Sequence, residues 1–369
     1  MKDEAKTASP QNRSLYIDLL RIAAAFGVTV LHAAAYRWDN TPVRTLNWQV
    51  MNVYDSLVRW VVPVFVMISG VFHLAPNKKE TGFNEEFKVI VKKIIRIVCA
   101  IVFWGVFYNL FTMATGYFFR DEPITVYELI KIPESIIFGP PYYHLWFLYM
   151  LLGLYLLTPV FRCFVSCSKR EHIEYLLILF FIIGTGVPFI NKLLDIIPVL
   201  SGRIFYFPAP EISGYIGYYA AGYYFANYEI KNKTRTAIYI LAIVSLIFTI
   251  AMTSFLSLTA NEPAGIFYDY ILPNTMFTSF AIFLLFKDVF KNKNYSAKKT
   301  GFISKLSRDT FGIFLIHAFV LEVLSAIGLN TLIINPVLSI PIISLIVMVV
   351  SEIGTLTIRK IPVLSKYVL

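Results

Sequence analysis

Asp18, Arg21 and His32 fall within one apolar stretch near the start of the chain, LYIDLLRIAAAFGVTVLHAA. Arginine binds a phosphate or a polarised carbonyl, and imidazole can take a proton from a hydroxyl near neutral pH. On a helix, Arg21 and His32 lie roughly 16 Å apart in depth and within about 20° on one face, with Asp18 near that face one turn before Arg21. Lipid does not solvate such groups, so the helix must turn them toward a path enclosed by protein. The spacing predicts a site that spans much of a bilayer, built on a single helix. His32 reads as a general base, weighed against a structural histidine that bridges helices by a hydrogen bond. Arg21 reads as a ligand for donor groups or as the partner of Asp18 in a structural pair.

His317 stands midway along a second apolar run, FGIFLIHAFVLEV, where it would orient His32, bind substrate or bridge helices by a hydrogen bond. His144 and Trp146 follow Tyr142 and Tyr143 at the start of another run. An interfacial aromatic belt accounts for the aromatics, and stacking on a sugar is the functional alternative. Arg59, Glu211 and Asp269 are further acceptor-binding candidates on the same predicted side, weighed against ion pairing, helix capping and helix contacts.

The elements that must position these groups follow from composition. Hydrophobic residues make up 57% of the 369 positions and charged residues only 15%, with a mean hydropathy of +0.65. A soluble chain carries about 25% charge, so a large aqueous domain is excluded. Apolar runs of bilayer-spanning length predict ten helices over 15–37, 50–75, 88–115, 143–165, 173–190, 213–228, 236–257, 265–287, 302–327 and 332–357. The sixth is short and rich in Gly and aromatics, so its backbone depends most on neighbours. The first carries Asp18 and Arg21 and lacks a small-residue cleavage site, so it is expected to be retained as a helix.

Basic residues gather in alternate connections, including seven between Lys287 and Arg308. That bias predicts both termini on the cytoplasmic side. The expected fold class is an all-α polytopic membrane protein, with a tail over 1–13, a transmembrane domain over 14–358 and a second tail over 359–369. The connection from Tyr117 to Tyr142 mixes aromatics, charge and proline, and predicts an interfacial helix or a rim over a cavity. Topology accounts for the net charge of +10 without a nucleic-acid partner. Cys99, Cys163 and Cys167 read as structural thiols, and the five histidines have no ligand-like spacing, so no metal is predicted.

The ten-residue interval between Arg21 and His32 resembles the arginine-histidine motif of membrane acyltransferase family 3. RSLYIDLLRIAAAFGVTVLH resembles that family's opening helix, and PVFVMISGVFHL, YYHLWFLYMLLGLYLLTPVF and LSRDTFGIFLIHAF resemble its later signatures, in order, over about residues 13–358. The resemblance implies transfer of an acyl group, most often acetyl, from cytoplasmic acyl-CoA to an outward-facing hydroxyl of a glycan or lipid-linked sugar in the bacterial inner membrane. Under that implication Arg21, Ser69, Lys92, Lys93 and Arg96 are donor-site candidates. Lys92 and Arg96 share an i,i+4 face and Lys93 projects about 100° away. Related enzymes often carry closely spaced arginines where this chain has Lys92 and Lys93, and lysine supplies a point charge without the guanidinium fork. Membrane lipids and possible further copies of the chain complete the expected partners. The alternative function is a transporter or flippase for a lipid-linked glycan or polar solute, although the sequence contains no obvious inverted repeat.

Overall fold

The computed structural model describes residues 10–75, 83–197, 199, 212–293 and 295–369. The chain is helical almost throughout. Its elements are α1 (Pro10–Ala35), α2 (Leu46–Val58), α3 (Val61–His73), α4 (Phe83–Arg120), α5 (Val126–Phe138), α6 (Trp146–Cys167), α7 (Arg170–Phe181), α8 (Val187–Ile196), α9 (Ile212–Asn227), α10 (Asn232–Ala260), α11 (Pro273–Phe290), α12 (Ala297–Ala326), α13 (Pro336–Ile358) and α14 (Pro362–Tyr367). Eight helical runs among the described residues are long and apolar enough to cross a membrane. Each of the ten predicted spans falls on helix. The two outside that set of eight are the 38-residue α4 and the 16-residue α9.

The burial pattern shows how these helices use lipid. Along α10, Ser245, Thr249, Thr253 and Ser257 are buried while Ile240, Ile243, Val244 and Ile247 are exposed. On α13, Ser339, Ser344, Ser351 and Thr355 face inward and Leu338, Ile342, Leu345 and Val349 outward. A soluble protein inverts this arrangement. Small polar residues allow helices to approach and satisfy one another where lipid, not water, surrounds the apolar face.

Helix α1 is central and packs on α2, α3, α11, α12 and α13. Helix α3 lies across α9 at two glycines. A Cβ built on Gly70 would stand 1.8 Å from the Tyr219 carbonyl oxygen, and one on Gly222 would stand 1.9 Å from that of Met67. Backbone therefore meets backbone, which only glycine permits. The short α9 is tied at its end by the buried Lys287 of α11, whose ammonium donates to the Phe225 and Tyr228 carbonyls at 2.8 and 3.1 Å.

Three of the predicted spans carry internal interruptions. The second span is two helices, broken at Arg59–Trp60, because Pro63 has no N–H for the Arg59 carbonyl and its ring clashes there. The fifth contains a π-helical turn over Ile182–Gly186, just before Pro188, which likewise frees the Gly184 carbonyl. The start of the eighth is a 3-10 turn over Ile266–Tyr268, and its α-helix begins at Pro273.

The connection after α4 contains an interfacial-type helix, α5, opened by a capping box between Thr125 and Glu128. Val126, Ile130, Ile137 and Phe138 are exposed along it. The chain after Ile358 does not trail away: α14 packs on α4, and Val368 and Leu369 are buried. All three cysteines are free thiols.

Candidate functional site

Helices α1 and α12 pack together and bring His32 and His317 to a ring-centroid distance of 5.0 Å, inclined by 30°. His144, just before α6, meets His317 edge-on at 5.0 Å. Three of the five histidines thus converge, although they lie 112 and 173 positions apart in sequence. His317 is fully buried and His144 is 2% exposed, whereas His32 remains partly accessible. The Nδ1 of His317 donates to the Phe314 carbonyl at 2.5 Å, and its Nε2 makes no hydrogen bond. A donor at Nδ1 leaves a lone pair on Nε2, so this imidazole is oriented with an acceptor free. Among the described residues no cluster of three or more His, Cys, Asp or Glu side chains is arranged to hold a metal.

A cavity of about 430 Å³ opens beside this cluster, within the size range of small-molecule sites. Its wall includes Arg21 of α1, Ser69 of α3, Lys93 and Arg96 of α4, Arg308 within α12, and Arg359 at the C-cap of α13. Among the described residues no carboxylate lines it. Phe147, Tyr155, Phe311 and Phe314 supply an apolar side. The Phe314 ring also lies 5.4 Å from His144 and 5.8 Å from His317, so cavity and histidine cluster share one wall. A basic chamber with an apolar side, whose Phe314 wall backs onto the imidazoles, suits a polyanionic ligand with an apolar arm.

Arg21, Ser69, Lys93 and Arg96 therefore meet in one place. Lys92 is exposed and is not part of that wall. Of the three candidates on α4, the i,i+3 pair Lys93 and Arg96 shares the cavity wall. Asp18 accepts hydrogen bonds from Ser304 at 3.0 Å and Ser307 at 2.7 Å, joining α1 to α12. Arg21 instead covers the Phe72 ring at 5.2 Å. Arg308 and Arg359 enter the site unforeseen, since both read as topology-setting charges in the sequence. Arg359 is held by the fully buried Asp309 at 2.6 Å and by the Arg308 carbonyl at 3.0 Å.

On the other side of the bundle, the break between α2 and α3 holds an ion pair. Arg59 meets the buried Asp55 at 2.5 Å, donates to the Tyr268 carbonyl at 3.3 Å, and lies 4.0 Å from the Tyr268 ring centroid. Trp146 stacks on Tyr270 at 5.7 Å. Asp269, between those tyrosines, accepts from the Ile271 N–H at 3.3 Å, a local turn contact. Arg59, Trp146 and Asp269 thus converge on one loop, in which Arg59 and Asp269 have protein partners. His144 separates from them and joins the histidine cluster. Glu211 lies outside the described residues.

Asp55 and Glu322 were missed. The first was legible as the i−4 partner of Arg59, and the second as an acidic residue near the end of the apolar run that carries His317.

No curated protein and no solved structure gives a significant match. A family model described as an acyltransferase domain matches residues 14–355, and its reach from the opening helix through α13 takes in Arg21, His32, His144 and His317. The helical membrane architecture, the histidine cluster and that match together make the chain a member of acyltransferase family 3.

Proposed function

We propose that the protein transfers an acetyl group from cytoplasmic acyl-CoA to a hydroxyl of an extracytoplasmic glycan or lipid-linked sugar, acting in a bacterial inner membrane with ten spans and both termini inside. The observation that carries this reading is the shared wall between the basic cavity and the histidine cluster. Phosphates of the donor bind Lys93, Arg96 and Arg308 near the mouth, with Arg21 and Ser69 along the approach. The pantetheine arm runs past Phe311 and Phe314 and brings the thioester to His32. The basic lining of the cavity suits a donor whose nucleotide stays at the membrane face.

His32 is the least buried of the three clustered imidazoles, which supports it as the base. Its free ring nitrogen removes the acceptor hydroxyl proton as that oxygen attacks the thioester carbonyl carbon. The new carbon–oxygen bond forms, the carbon–sulfur bond breaks, and the proton passes from His32 to the departing thiolate. His317 and His144 position the His32 ring by packing, without themselves exchanging the proton. Arg59 and Asp55 hold the broken span open near the acceptor side, and Trp146 offers a face for a sugar ring.

Sealed proteoliposomes test the reading, with labelled acetyl-CoA inside and a panel of glycans and lipid-linked sugars outside. Labelled acceptor is expected from the original protein and lost in a folded His32→Ala variant. The break at Arg59–Trp60 is a feature that carriers also use. Donor-independent movement of a lipid-linked sugar, with no labelled product, would replace the enzyme reading with that one.

A further inference from the structure

Near the pair His32 and His317 stands a second pair, Tyr36 in the turn after α1 and Glu322 on α12. Tyr36 follows His32 by four residues, just past the end of α1 at Ala35, and Glu322 follows His317 by five residues on α12. The Tyr36 hydroxyl donates to one carboxylate oxygen of Glu322 at 2.8 Å, and the Tyr142 hydroxyl donates to the other at 3.3 Å. Neither phenol neutralises the carboxylate. Among the described residues no cationic side chain forms an ion pair with Glu322, although Arg37 lies over the Tyr36 ring at 5.4 Å.

This second pair connects to the reacting imidazole. Tyr143 touches Tyr142 at 4.8 Å and His32 at 4.9 Å, and the residue is 44% exposed. Tyr142 is fixed by stacking on Tyr108 at 4.3 Å, and the Tyr108 hydroxyl is anchored on the Leu315 carbonyl at 2.7 Å. Glu322 and its two phenols thus lie one ring, Tyr143, away from the partly accessible His32. Each carboxylate oxygen has a lone pair to spare, and each phenol oxygen can also accept. That set matches the adjacent hydroxyls of a polyol, and it repels a negative charge at the same position.

Resting on the acyl-transfer reading, we propose that Glu322, with Tyr36 and Tyr142, is the subsite for the acceptor. It takes a neutral, hydroxyl-rich ring and rejects one that carries a carboxylate beside the reacting hydroxyl. The site acts on binding, and no proton is routed through it.

Two probes of one shape separate the possibilities: methyl β-D-glucopyranoside and its uronic acid counterpart, methyl β-D-glucuronide. The full chain in proteoliposomes is treated with tetranitromethane, and nitration of Tyr36 and Tyr142 is mapped by peptide mass spectrometry across a concentration series of each probe. The neutral glycoside is expected to protect both tyrosines at concentrations about tenfold or more below those the glucuronide needs. Glu322→Gln, which keeps the shape and removes the charge, is expected to bring the two probes within about twofold. Tyr142→Phe, a variant with a milder packing change, is expected to weaken protection of Tyr36 by the neutral probe while preserving the preference.

Failure of the neutral probe to protect the folded original protein would overturn the site. Equal protection by both probes, or a preference that survives in Glu322→Gln, would overturn the role of the carboxylate. Protection as expected with no acetyl transfer to any acceptor would sink the enzymatic reading and leave the binding site standing.

Discussion

The crossing of α3 and α9 makes a quantitative test of how the donor cavity is held. Gly70 follows Ser69, and a methyl added at Gly70 would stand 1.8 Å from the Tyr219 carbonyl oxygen, where ordinary contact begins at 3.4 Å. The obstacle is backbone, so no rotamer change relieves it, and the helices must part by about 1.6 Å in a closely packed interior. Overpacking typically costs about 1–3 kcal/mol, and an immovable neighbour puts Gly70→Ala near the upper end. Alanine's helix preference returns about 1 kcal/mol, leaving a net loss of about 2 kcal/mol. Gly301→Ala is the control: it also lies within a helix, but its added methyl meets nothing within 4 Å. That substitution should stabilise by up to about 1 kcal/mol. Thermal unfolding in detergent, followed by tryptophan fluorescence, should place Gly70→Ala roughly 5 °C below the original and Gly301→Ala at or above it. The same displacement moves Ser69, Phe65 and Ile68, which line the cavity, so KM for acyl-CoA should rise with it. Gly222→Ala forces the same separation from the other helix, and the double variant should lose less than the two single losses combined. Equal stability of Gly70→Ala and Gly301→Ala, or strict additivity with Gly222→Ala, would refute the argument.

Three further outcomes follow from the geometry. Lys93→Ala or Arg96→Ala should raise KM for acyl-CoA about tenfold with a smaller change in kcat, while Lys92→Ala stays within about twofold; steady-state kinetics separate the three. Asp55→Ala leaves the Arg59 guanidinium buried without its counter-ion and should cost about 3–5 kcal/mol, partly recovered in the Asp55→Ala, Arg59→Met double variant, as read by thermal unfolding. In α5, the Thr125 N–H and hydroxyl hold the exposed Glu128 carboxyl below the usual carboxylate range. A depressed carboxylate stabilises above its unfolded pKa and loses that contribution as pH falls through the folded one. Hydrogen-exchange protection of the first turn of α5 should therefore drop on acidification, and Thr125→Ala should abolish that dependence.

Hydrophobic run length determined the helical membrane class and where the long helices fall, because bilayer thickness and backbone hydrogen bonding leave a spanning chain little alternative. Helical periodicity likewise determined that Asp18, Arg21 and His32 share a face, since one continuous helix, α1, carries all three. Periodicity within one helix says nothing of its neighbours. The meeting of His32 with His317 and His144 required α1, α12 and the start of α6 to pack together. The choice of Lys93 over Lys92 depended on how α4 is rotated against the bundle. Arg308 and Arg359 looked like charges that set topology, and only the packing of α12 and α13 around the cavity brought both into its wall. Pro63 and Pro188 were visible in the sequence, yet whether each proline merely bends a helix or breaks it depends on which neighbours satisfy the freed carbonyl. Local chemistry is written along the chain, while contact between distant residues follows from how whole helices fit against one another, a property of all their side chains at once.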